Sequence, residues 1–177
     1  VRFDALPPLA LYVHLPWCAR KCPYCDFNSH ERHGDLPEQE YLQALNRDLE
    51  ALLPSVWGRR IHSIFIGGGT PSLFSAAAID ALLSAIRARL PVEPDAEITL
   101  EANPGSAEAG RFRGYREAGV NRLSLGVQSF DEAMLKVLGR IHSADEARRA
   151  IEMALTTVGN VNLDLMYGLP GQTLTMA

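Results

Sequence analysis

The segment Leu11–His30, LYVHLPWCARKCPYCDFNSH, decides how this chain is interpreted. It carries all three cysteines of the sequence, Cys18, Cys22 and Cys25, in a C-x₃-C-x₂-C array directly after a short apolar run. An odd number of closely spaced cysteines cannot form a self-contained set of disulfides, so metal binding is the first interpretation to consider. Three thiolates suit an iron–sulfur cluster, because cysteine sulfur normally holds the iron. A four-iron cluster held by three cysteines leaves one iron open to a second molecule.

Zinc is the main alternative for these thiols. Cys22 and Cys25, followed by His30, match three ligands of a zinc knuckle. The fourth position of that pattern is Asp35, and structural zinc sites rarely use this substitute. A third possibility is that the thiols are buried and bind nothing. The local spacing favours the cluster first and zinc second, and all three interpretations stay open at this point.

Composition argues against several classes of protein. The chain has 177 residues, of which 47% are hydrophobic and 21% charged, as in an ordinary globular protein with one sizeable core. A net charge of −4 and the lack of any basic block argue against nucleic-acid binding. No apolar run reaches the roughly 20 residues of a membrane span, and the first residues do not resemble a secretory signal. Clustered free thiols fit a reducing, cytoplasmic setting.

Strands and helices alternate along the sequence. Predicted strands cover residues 9–15, 62–66, 97–102, 122–128 and 161–167, and predicted helices cover residues 37–53, 75–90, 106–119, 129–138 and 143–156. The last two helices each begin with an S-x-x-E capping box, at Ser129 and Ser143. Such alternation predicts an α/β fold with a parallel sheet, which is either open and doubly wound or part of a barrel.

The chemically suggestive residues fall at one edge of this sheet. In both architectures ligands bind where strands meet the loops that follow them. The residues found there are the three cysteines, Gly67–Pro71, Glu101, Gln128 and Asp164. Their placement favours an enzyme-like site. The sequence stops after the fifth predicted strand, and natural proteins normally cover such an edge. We therefore expect residues 1–177 to be the N-terminal portion of a longer chain whose C-terminal part is missing.

Six sequence blocks carry a resemblance to a known family. In order they read YVHLPWCARKCPYCDFNSH, IFIGGGTPSL, ITLEANPG, NRLSLGVQSF, LGRIHS and NLDLMYGLPGQT. Together they resemble the radical S-adenosylmethionine (SAM) superfamily, within it the oxygen-independent coproporphyrinogen III oxidase group, and most closely the HemW branch of heme chaperones. The oxidases carry a further cysteine two positions after the third, where this chain has Phe27. The resemblance thus favours heme binding and delivery, and oxidative decarboxylation of coproporphyrinogen III is the enzymatic alternative.

The resemblance implies a fold, cofactors and partners. It implies a partial parallel (β/α) barrel, the radical SAM core domain, that binds a [4Fe-4S] cluster and SAM. In the family, one electron from the reduced cluster cleaves SAM to methionine and a 5′-deoxyadenosyl radical. The implied partners of the full-length protein are heme or porphyrin, acceptor hemoproteins, and a reductant protein such as flavodoxin or ferredoxin. Nucleic acid is not among them.

The resemblance also implies the site residues. The cluster ligands would be Cys18, Cys22 and Cys25. The SAM-binding residues would be Tyr12, Tyr24, Gly68, Gly69, Thr70, Glu101, Gln128, Arg140 and Asp164. Glycines without a Cβ let a ligand approach the backbone closely. Taken without the resemblance, Tyr12 is equally well a packed strand residue and Arg140 is better explained by a surface salt bridge. The histidines His14, His30 and His142 are interpreted as structural rather than as heme ligands.

Overall fold

A parallel five-stranded sheet forms the centre of the molecule. The structure is a computed structural model that describes residues 6–105 and 110–176. The strands of the sheet are β1 Leu9–Leu15, β4 Ile61–Gly68, β5 Val92–Ala102, β6 Arg122–Gln128 and β7 Val161–Leu165. Each strand pairs in parallel with the next one in this series. A separate parallel pair, β2 Trp17–Cys18 and β3 His30–Glu31, encloses the cysteine loop.

Helices connect successive strands of the sheet. They are α1 Glu38–Val56, α2 Ala76–Arg89, α3 Phe112–Ala118, α4 Glu132–Val137 and α5 Ala144–Thr157, together with a 3₁₀ turn at Pro71–Leu73. None of the helices in the described part of the chain has the length and apolar character that a membrane crossing requires.

The strand order identifies the sheet as barrel-like. The order β1-β4-β5-β6-β7 follows the chain order without a reversal. A doubly wound sheet requires a reversal, because its second half is built in the opposite direction from the first. Right-handed crossovers that always step the same way place all connecting helices on one face, as in a barrel. Consistent with this, α1 packs against α2, α2 against α3, and α3 against α5. The predicted partial parallel barrel is confirmed.

The core lies between the sheet and these helices. Alternate strand residues, which point to one face because a strand has a period of two, supply its floor. They include Val13, Leu15, Ile64, Ile66, Leu100, Leu123 and Leu125, all buried. The predicted apolar stripe of α2, which consists of Ile79, Leu82, Leu83 and Ile86 followed by Leu90, is buried against them. Burying each such aliphatic side chain stabilises the fold by about 1.5–3 kcal/mol.

Local capping signals set several helix boundaries. Ser75 caps α2, and its hydroxyl accepts a hydrogen bond from the Ala78 amide at 3.1 Å. The predicted capping box of Ser143 and Glu146 is present at the start of α5. Gly119 ends α3 in the left-handed conformation, with φ 109°, as its position predicts. The predicted start of that helix, at Ser106, lies outside the described residues.

The predicted capping box at Ser129 is wrong. Helix α4 is capped by Asp131, whose Oδ1 accepts from the amides of Ala133 at 2.8 Å and Met134 at 3.0 Å. A carboxylate is favoured at a helix N-terminus by the helix dipole, so a better cap lies two residues downstream. Ser129 accepts from the Asp131 amide instead, and Glu132 accepts from the Ala144 amide at 2.7 Å. This carboxylate ties α4 to the start of α5.

Candidate functional site

A cavity of about 150 Å³ lies at the carboxyl edge of the sheet. Its wall is built by the cysteine loop, the loop after β4, the ends of β5, β6 and β7, and the segment after α4. The lining residues are Cys18, Arg20, Cys22, Tyr24, Cys25, Phe27, Gly68, Gly69, Thr70, Glu101, Ala102, Asn103, Ser124, Gly126, Gln128, Arg140 and Asp164. All three cysteines and eight of the nine predicted SAM-binding residues are therefore brought together. Tyr12 is the predicted residue that does not line this cavity.

The cysteine loop is held at both ends by backbone pairing. The His30 amide donates to the Pro16 carbonyl at 2.8 Å, and the Arg32 amide donates to the Cys18 carbonyl at 2.9 Å. Between these points, the Lys21 ammonium donates to the Ser29 carbonyl at 3.0 Å. These bonds fix a loop of low secondary-structure content in front of the cavity. Lys21 thus connects the first part of the loop to its end at Ser29 and is not a freely solvated charge.

The three thiols differ in their surroundings. Cys18 is buried, whereas Cys22 and Cys25 are partly exposed. Burial raises the pKa of the Cys18 thiol, and hydrogen bonds from Thr70 and Ser29 oppose that effect. In the described residues no three Cys, His, Asp or Glu side chains are gathered as a ready-made site for a single metal ion. All three thiols nevertheless belong to residues that line the one cavity.

The loop after β4 lies directly on the backbone that precedes Cys18. The Gly69 amide donates to the Leu15 carbonyl at 2.9 Å, and the Thr70 amide donates to the Trp17 carbonyl at 2.7 Å. A Cβ at position 69 would lie 2.6 Å from the Trp17 carbonyl oxygen, closer than real Cβ atoms come. Glycine is therefore required here by the packing of the chain on itself. The sequence analysis favoured the close approach of a ligand as the reason for this glycine.

Glu101 forms the floor of the cavity at the end of β5. Its Oε2 accepts from the Gly68 amide at 3.0 Å. Burial raises the pKa of this carboxyl; the Gly68 hydrogen bond acts against the rise and the negative charge of Asp164 adds to it. Two carboxylates thus face one cavity. Such a wall favours a ligand that carries positive charge.

Arg140 reaches into the site from the segment after α4. Its Nη2 donates to Asn103 Oδ1 at 2.5 Å and to the Gly126 carbonyl at 2.7 Å. Its Nη1 donates to Cys22 Sγ at 3.4 Å. The interpretation of Arg140 as part of a surface salt bridge is wrong, because its partners line the cavity. Its Nε is buried and has no hydrogen-bond acceptor among the described residues, which makes it available to a ligand.

Gln128 and Asp164 are held by unusual local geometry. Gln128 has φ 66°, the left-handed region that costs most residues free energy. It lies at a register shift between β6 and β7, and its carbonyl accepts from the Met166 amide at 2.9 Å. Asp164 accepts from Asn162 Nδ2 at 2.7 Å and from the Ser124 hydroxyl at 3.2 Å. The backbone of Gln128 and the side chain of Asp164 are therefore held at the cavity wall by the protein itself.

Tyr12 and two histidines lie on the edge of the site. The Tyr12 side chain is 56% exposed and its hydroxyl donates to His14 Nδ1 at 2.9 Å. His14 Nε2 in turn donates to the Asn28 carbonyl at 2.8 Å, so both ring nitrogens are used within the protein. The buried His142 donates to the Val127 carbonyl at 3.1 Å, and burial lowers its pKa. The SAM contact of Tyr12 stays a prediction.

Several lining residues were missed by sequence reasoning. They are Arg20, Phe27, Ala102, Asn103, Ser124 and Gly126. The period of two along a strand was the signal that could have found half of them. Asn103 lies two positions after Glu101, and Ser124 and Gly126 lie four and two positions before Gln128. These residues point to the same face as the residues that were identified.

Comparison with known proteins assigns the class. The radical SAM superfamily profile matches residues 12–176, which include the cysteine array, the sheet and the cavity. The chain belongs to the radical SAM superfamily. Membership implies binding of SAM and a [4Fe-4S] cluster.

Two relatives and one solved structure refine this assignment. The chain is 57% identical over 173 residues to the heme chaperone HemW of Escherichia coli strain K12, covering 97% of this chain and 46% of that protein. It is 45% identical over 164 residues to the mitochondrial radical S-adenosyl methionine domain-containing protein 1 of Mus musculus, covering 92% and 37%. The structure of coproporphyrinogen III oxidase (HemN) from Escherichia coli, a radical SAM enzyme, superposes with a TM-score of 0.85 at 32% identity, covering 96% and 39%. The chain spans about half the length of the HemW relatives that it matches.

The residues of the cavity fit the two implied cofactors. Three thiols supply the sulfur ligands of a cluster that keeps one iron open. The buried Arg140 Nε is an unused donor beside them, suited to a carboxylate. Glu101 and Asp164 supply negative charge and hydrogen-bond acceptors to the same cavity. A cationic donor together with two carboxylates matches SAM, which carries a carboxylate, an ammonium group and a sulfonium charge.

Proposed function

We propose that this chain is the cluster- and SAM-binding portion of a HemW-type heme chaperone. The observation that carries the proposal is the cavity: three thiols and eight of nine predicted SAM-binding residues line it together. The 57% identity to a protein named as a heme chaperone supports the choice of branch. Phe27, which lines the same cavity, occupies the position at which the oxidases are expected to carry a further cysteine.

The side chains have distinct proposed roles. Cys18, Cys22 and Cys25 hold the cluster, and Arg140 binds the carboxylate of SAM through its unused Nε. When bound, the cluster and SAM supply one-electron cleavage of a carbon–sulfur bond, and the protein supplies orientation and exclusion of water. The cysteine loop, including Tyr24, lines the cavity beside the thiols.

The remaining contacts follow from the chemistry of each wall. Backbone carbonyls and the hydroxyl at Gly68, Gly69 and Thr70 accept from the ammonium group of SAM. Asp164 accepts from ribose hydroxyls, since Ser124 and Asn162 hold its carboxylate in place. Glu101 and Gln128 complete the polar wall between them. Residues 1–177 form the radical SAM core portion in this proposal.

The proposed partners belong to the complete protein. They are heme or porphyrin, hemoproteins that receive it, and a reductant protein of the flavodoxin or ferredoxin type, all in the cytoplasm. The heme chaperone name of the relatives supports the first two. The net charge of −4 argues against a nucleic-acid partner.

Anaerobic reconstitution with ferrous iron and sulfide tests the cluster. We expect about four irons and about four sulfides per chain, and an electron paramagnetic resonance signal of the reduced protein that changes when SAM is added. Added heme should give a saturable absorption change with the full-length protein. Zinc near one equivalent with negligible iron and sulfide, or a cluster signal indifferent to SAM, would contradict the proposal.

Oxidation of coproporphyrinogen III is the second candidate function. It is favoured by the TM-score of 0.85 with the solved oxidase. Reduced holoprotein incubated anaerobically with SAM and coproporphyrinogen III separates the two candidates. We expect no protoporphyrinogen above the level of a Cys25→Ala control. Steady, SAM-dependent formation of protoporphyrinogen would replace the chaperone proposal with the oxidase.

A further inference from the structure

We propose that Gly139 is a positioning residue for the cysteine loop. Because Gly139 has no Cβ, the ring of Pro23 can lie directly on the chain that follows α4, and this contact sets the distance between Cys22 and Arg140. The inference rests on the proposed function, since it concerns how the protein holds a predicted cluster ligand beside the residue proposed to bind the SAM carboxylate. Gly139 acts through these neighbours and not on a ligand.

The turn at Gly139 fixes the direction in which the chain leaves α4. Gly139 has φ 68°, in the left-handed region. Its amide donates to the Lys136 carbonyl at 3.0 Å, and the Arg140 amide donates to the Leu135 carbonyl at 2.9 Å. These two bonds form a Schellman motif, which commonly ends a helix at a glycine. The backbone of Arg140 is therefore held by the end of the helix, independently of the contacts of its side chain.

The segment that follows α4 is attached to the end of β6. Arg140 Nη2 donates to the Gly126 carbonyl at 2.7 Å, and His142 donates to the Val127 carbonyl at 3.1 Å. His142 is buried. The segment is thus joined to the sheet as well as to the helix, and it forms a firm support for the loop that lies on it.

The cysteine loop meets this segment at two adjacent points. Arg140 Nη1 donates to Cys22 Sγ at 3.4 Å. A Cβ placed on Gly139 would lie 2.8 Å from Pro23 Cδ and 3.4 Å from Pro23 Cγ. Apart from the adjacent chain, these two ring carbons are the only atoms of the described residues within 4 Å of that position. Pro23 directly follows Cys22 and Gly139 directly precedes Arg140, so the two contacts join neighbouring residue pairs.

A side chain at position 139 would push the loop away from the segment. Real Cβ atoms essentially never come as close as 2.8 Å, and ordinary contact begins at 3.4 Å, so the ring would have to retreat by about 0.6 Å. The pyrrolidine ring cannot turn aside, because it is rigid and its Cδ is bonded to the backbone nitrogen. The movement therefore passes to the backbone of Cys22. A misplacement of roughly 0.5–1 Å is enough to impair a binding site.

Gly139→Ala and Pro23→Ala test the contact from its two sides. The first change adds the Cβ, and the second removes both ring carbons that it would meet. In a protein that already carries Pro23→Ala, the change at position 139 should therefore have no further effect on the site. Gly139→Asn separates the contact from the backbone, because asparagine tolerates the left-handed region better than alanine but carries the same Cβ.

Gly159→Ala is the matched control. Gly159 follows the end of α5 as Gly139 follows the end of α4, and it also has a left-handed backbone, with φ 85°. The nearest atom of the described residues that a Cβ there would meet is the Leu155 carbonyl oxygen, at 4.0 Å. Alanine at this position therefore strains the backbone of a helix end without pushing on the cysteine loop.

The first measurement is the dissociation constant of SAM. It is taken from the change in the electron paramagnetic resonance signal of each reduced protein after anaerobic reconstitution with ferrous iron and sulfide. We expect the constant to rise about tenfold in Gly139→Ala and at least as much in Gly139→Asn. Gly159→Ala should match wild type, and Gly139→Ala/Pro23→Ala should match Pro23→Ala. Where a variant retains no cluster, its iron and sulfide content replaces the dissociation constant, with the same order expected.

The second measurement is hydrogen exchange in the metal-free full chain, which tests the contact without either cofactor. Peptides that cover residues 19–29 should exchange faster in Gly139→Ala and Gly139→Asn than in wild type. One amide expected to respond is that of Cys25, which donates to the Cys22 carbonyl at 3.1 Å. Gly159→Ala should exchange at the wild-type rate in these peptides, and the double variant should exchange at the rate of Pro23→Ala.

The remaining outcomes overturn the inference. Equal dissociation constants, or equal exchange rates, in Gly139→Ala and Gly159→Ala would assign any effect to backbone strain. Wild-type affinity in Gly139→Asn, or a further loss when Gly139→Ala is added to Pro23→Ala, would exclude the contact with the ring. If the wild-type cluster forms and responds to SAM while these variants do not differ, only this inference fails. A wild-type protein without a cluster, or with one indifferent to SAM, fails the proposed function, and the exchange rates then still decide the role of Gly139.

Discussion

The two faces of the sheet are made from neighbouring residues of the same strands, and one face forms the core while the other lines the cavity. In β5, Leu100 is fully buried against the helices, and the next residue, Glu101, faces the cavity. In β6, Leu123 and Leu125 are fully buried, and Ser124 between them lines the site. Because successive side chains point to opposite faces, one strand serves the core and the site at the same time.

The difference between the two faces means that one contributes mainly to folding stability and the other mainly to ligand binding. The helix-facing residues are apolar and are buried in one cluster with the helices. The cavity-facing residues are polar, hydrogen-bonded to one another, and in part held in costly conformations. We therefore expect substitutions on the first face to change the free energy of unfolding, and substitutions on the second face to change ligand binding with small or favourable effects on stability.

The largest expected effect is the loss of the cluster in Cys25→Ala. A cluster that needs three thiolates does not persist with two, so iron and sulfide content should fall to background after anaerobic reconstitution. Cys25 is partly exposed, so the free energy of unfolding of the metal-free variant should stay within about 0.5 kcal/mol of wild type. Retention of a stoichiometric cluster would remove Cys25 from the ligand set.

Leu100→Ala should give the largest loss of stability. Leu100 is fully buried between the sheet and the helices, and truncation of such a side chain leaves a cavity that costs about 2–5 kcal/mol. Urea denaturation of the metal-free protein measures this loss as a lower midpoint with an unchanged slope. The folded fraction should still bind iron and sulfide at the wild-type ratio. A selective loss of the cluster at equal stability would show that the two faces are not independent.

Gln128→Gly should stabilise the metal-free protein while it weakens SAM binding. The φ of 66° is readily adopted by glycine and is strained for glutamine, so relief of about 1 kcal/mol is expected. Thermal unfolding of the metal-free protein and SAM titration of the reconstituted protein measure the two effects. Gln128→Asn, which tolerates the left-handed region better than glutamine, should give an intermediate stability. Destabilisation by glycine would mean that the side chain contributes more packing than its backbone costs.

Glu101→Gln should stabilise the metal-free protein at neutral pH. The folded state raises the pKa of Glu101, so folding disfavours the carboxylate relative to the acid. The protein therefore loses this part of its stability as the pH rises from below the ordinary glutamic acid pKa, about 4.3, through the raised folded value. Glutamine keeps an acceptor for the Gly68 amide and carries no charge. The difference between variant and wild type in urea denaturation should be present at pH 7 and disappear in acid, and a difference independent of pH would contradict this assignment.

Ser143→Ala should have the smallest effect on the site and serves as a reference on the helical side. It removes the capping box of α5, which typically costs about 1 kcal/mol. Ser143 lines none of the cavity wall described above, so cluster content and the response to SAM should equal those of wild type. An altered SAM response in this variant would mean that α5 is coupled to the site.

Local patterns in the sequence predicted the scaffold well. The strands at residues 9–15 and 122–128 have the predicted boundaries, and the apolar stripe of α2 is buried as expected. These features depend on residues close in the sequence, where periodicity and capping are decisive. The capping error at Ser129 arose because two candidate caps lie two residues apart and only their geometry separates them. The extension of β5 back to Val92 depends on pairing with β4, which the sequence does not display.

Most residues that line the candidate site were predicted from the sequence, but the hydrogen bonds between them were not. The positions of the three cysteines and of most predicted SAM-binding residues followed from strand ends and from the family resemblance. The bond between Arg140 and Asn103 joins residues 37 positions apart, and no spacing rule encodes such a contact. Tyr12, a predicted SAM contact, does not line the cavity; its ring lies against Phe65 and its hydroxyl donates to His14. Long-range partners of polar side chains require the three-dimensional arrangement.

The close approach at Gly69 connects the position of Cys18 to the proposed binding site for SAM. The glycine leaves no room between the turn that follows β4 and the peptide groups of Pro16 and Trp17. The strand-like segment that carries Cys18 therefore cannot shift without displacing the seat proposed for the methionine end of SAM. If Gly68, Gly69 and Thr70 bind SAM as proposed, a displacement of the segment that carries Cys18 should therefore change the affinity for SAM.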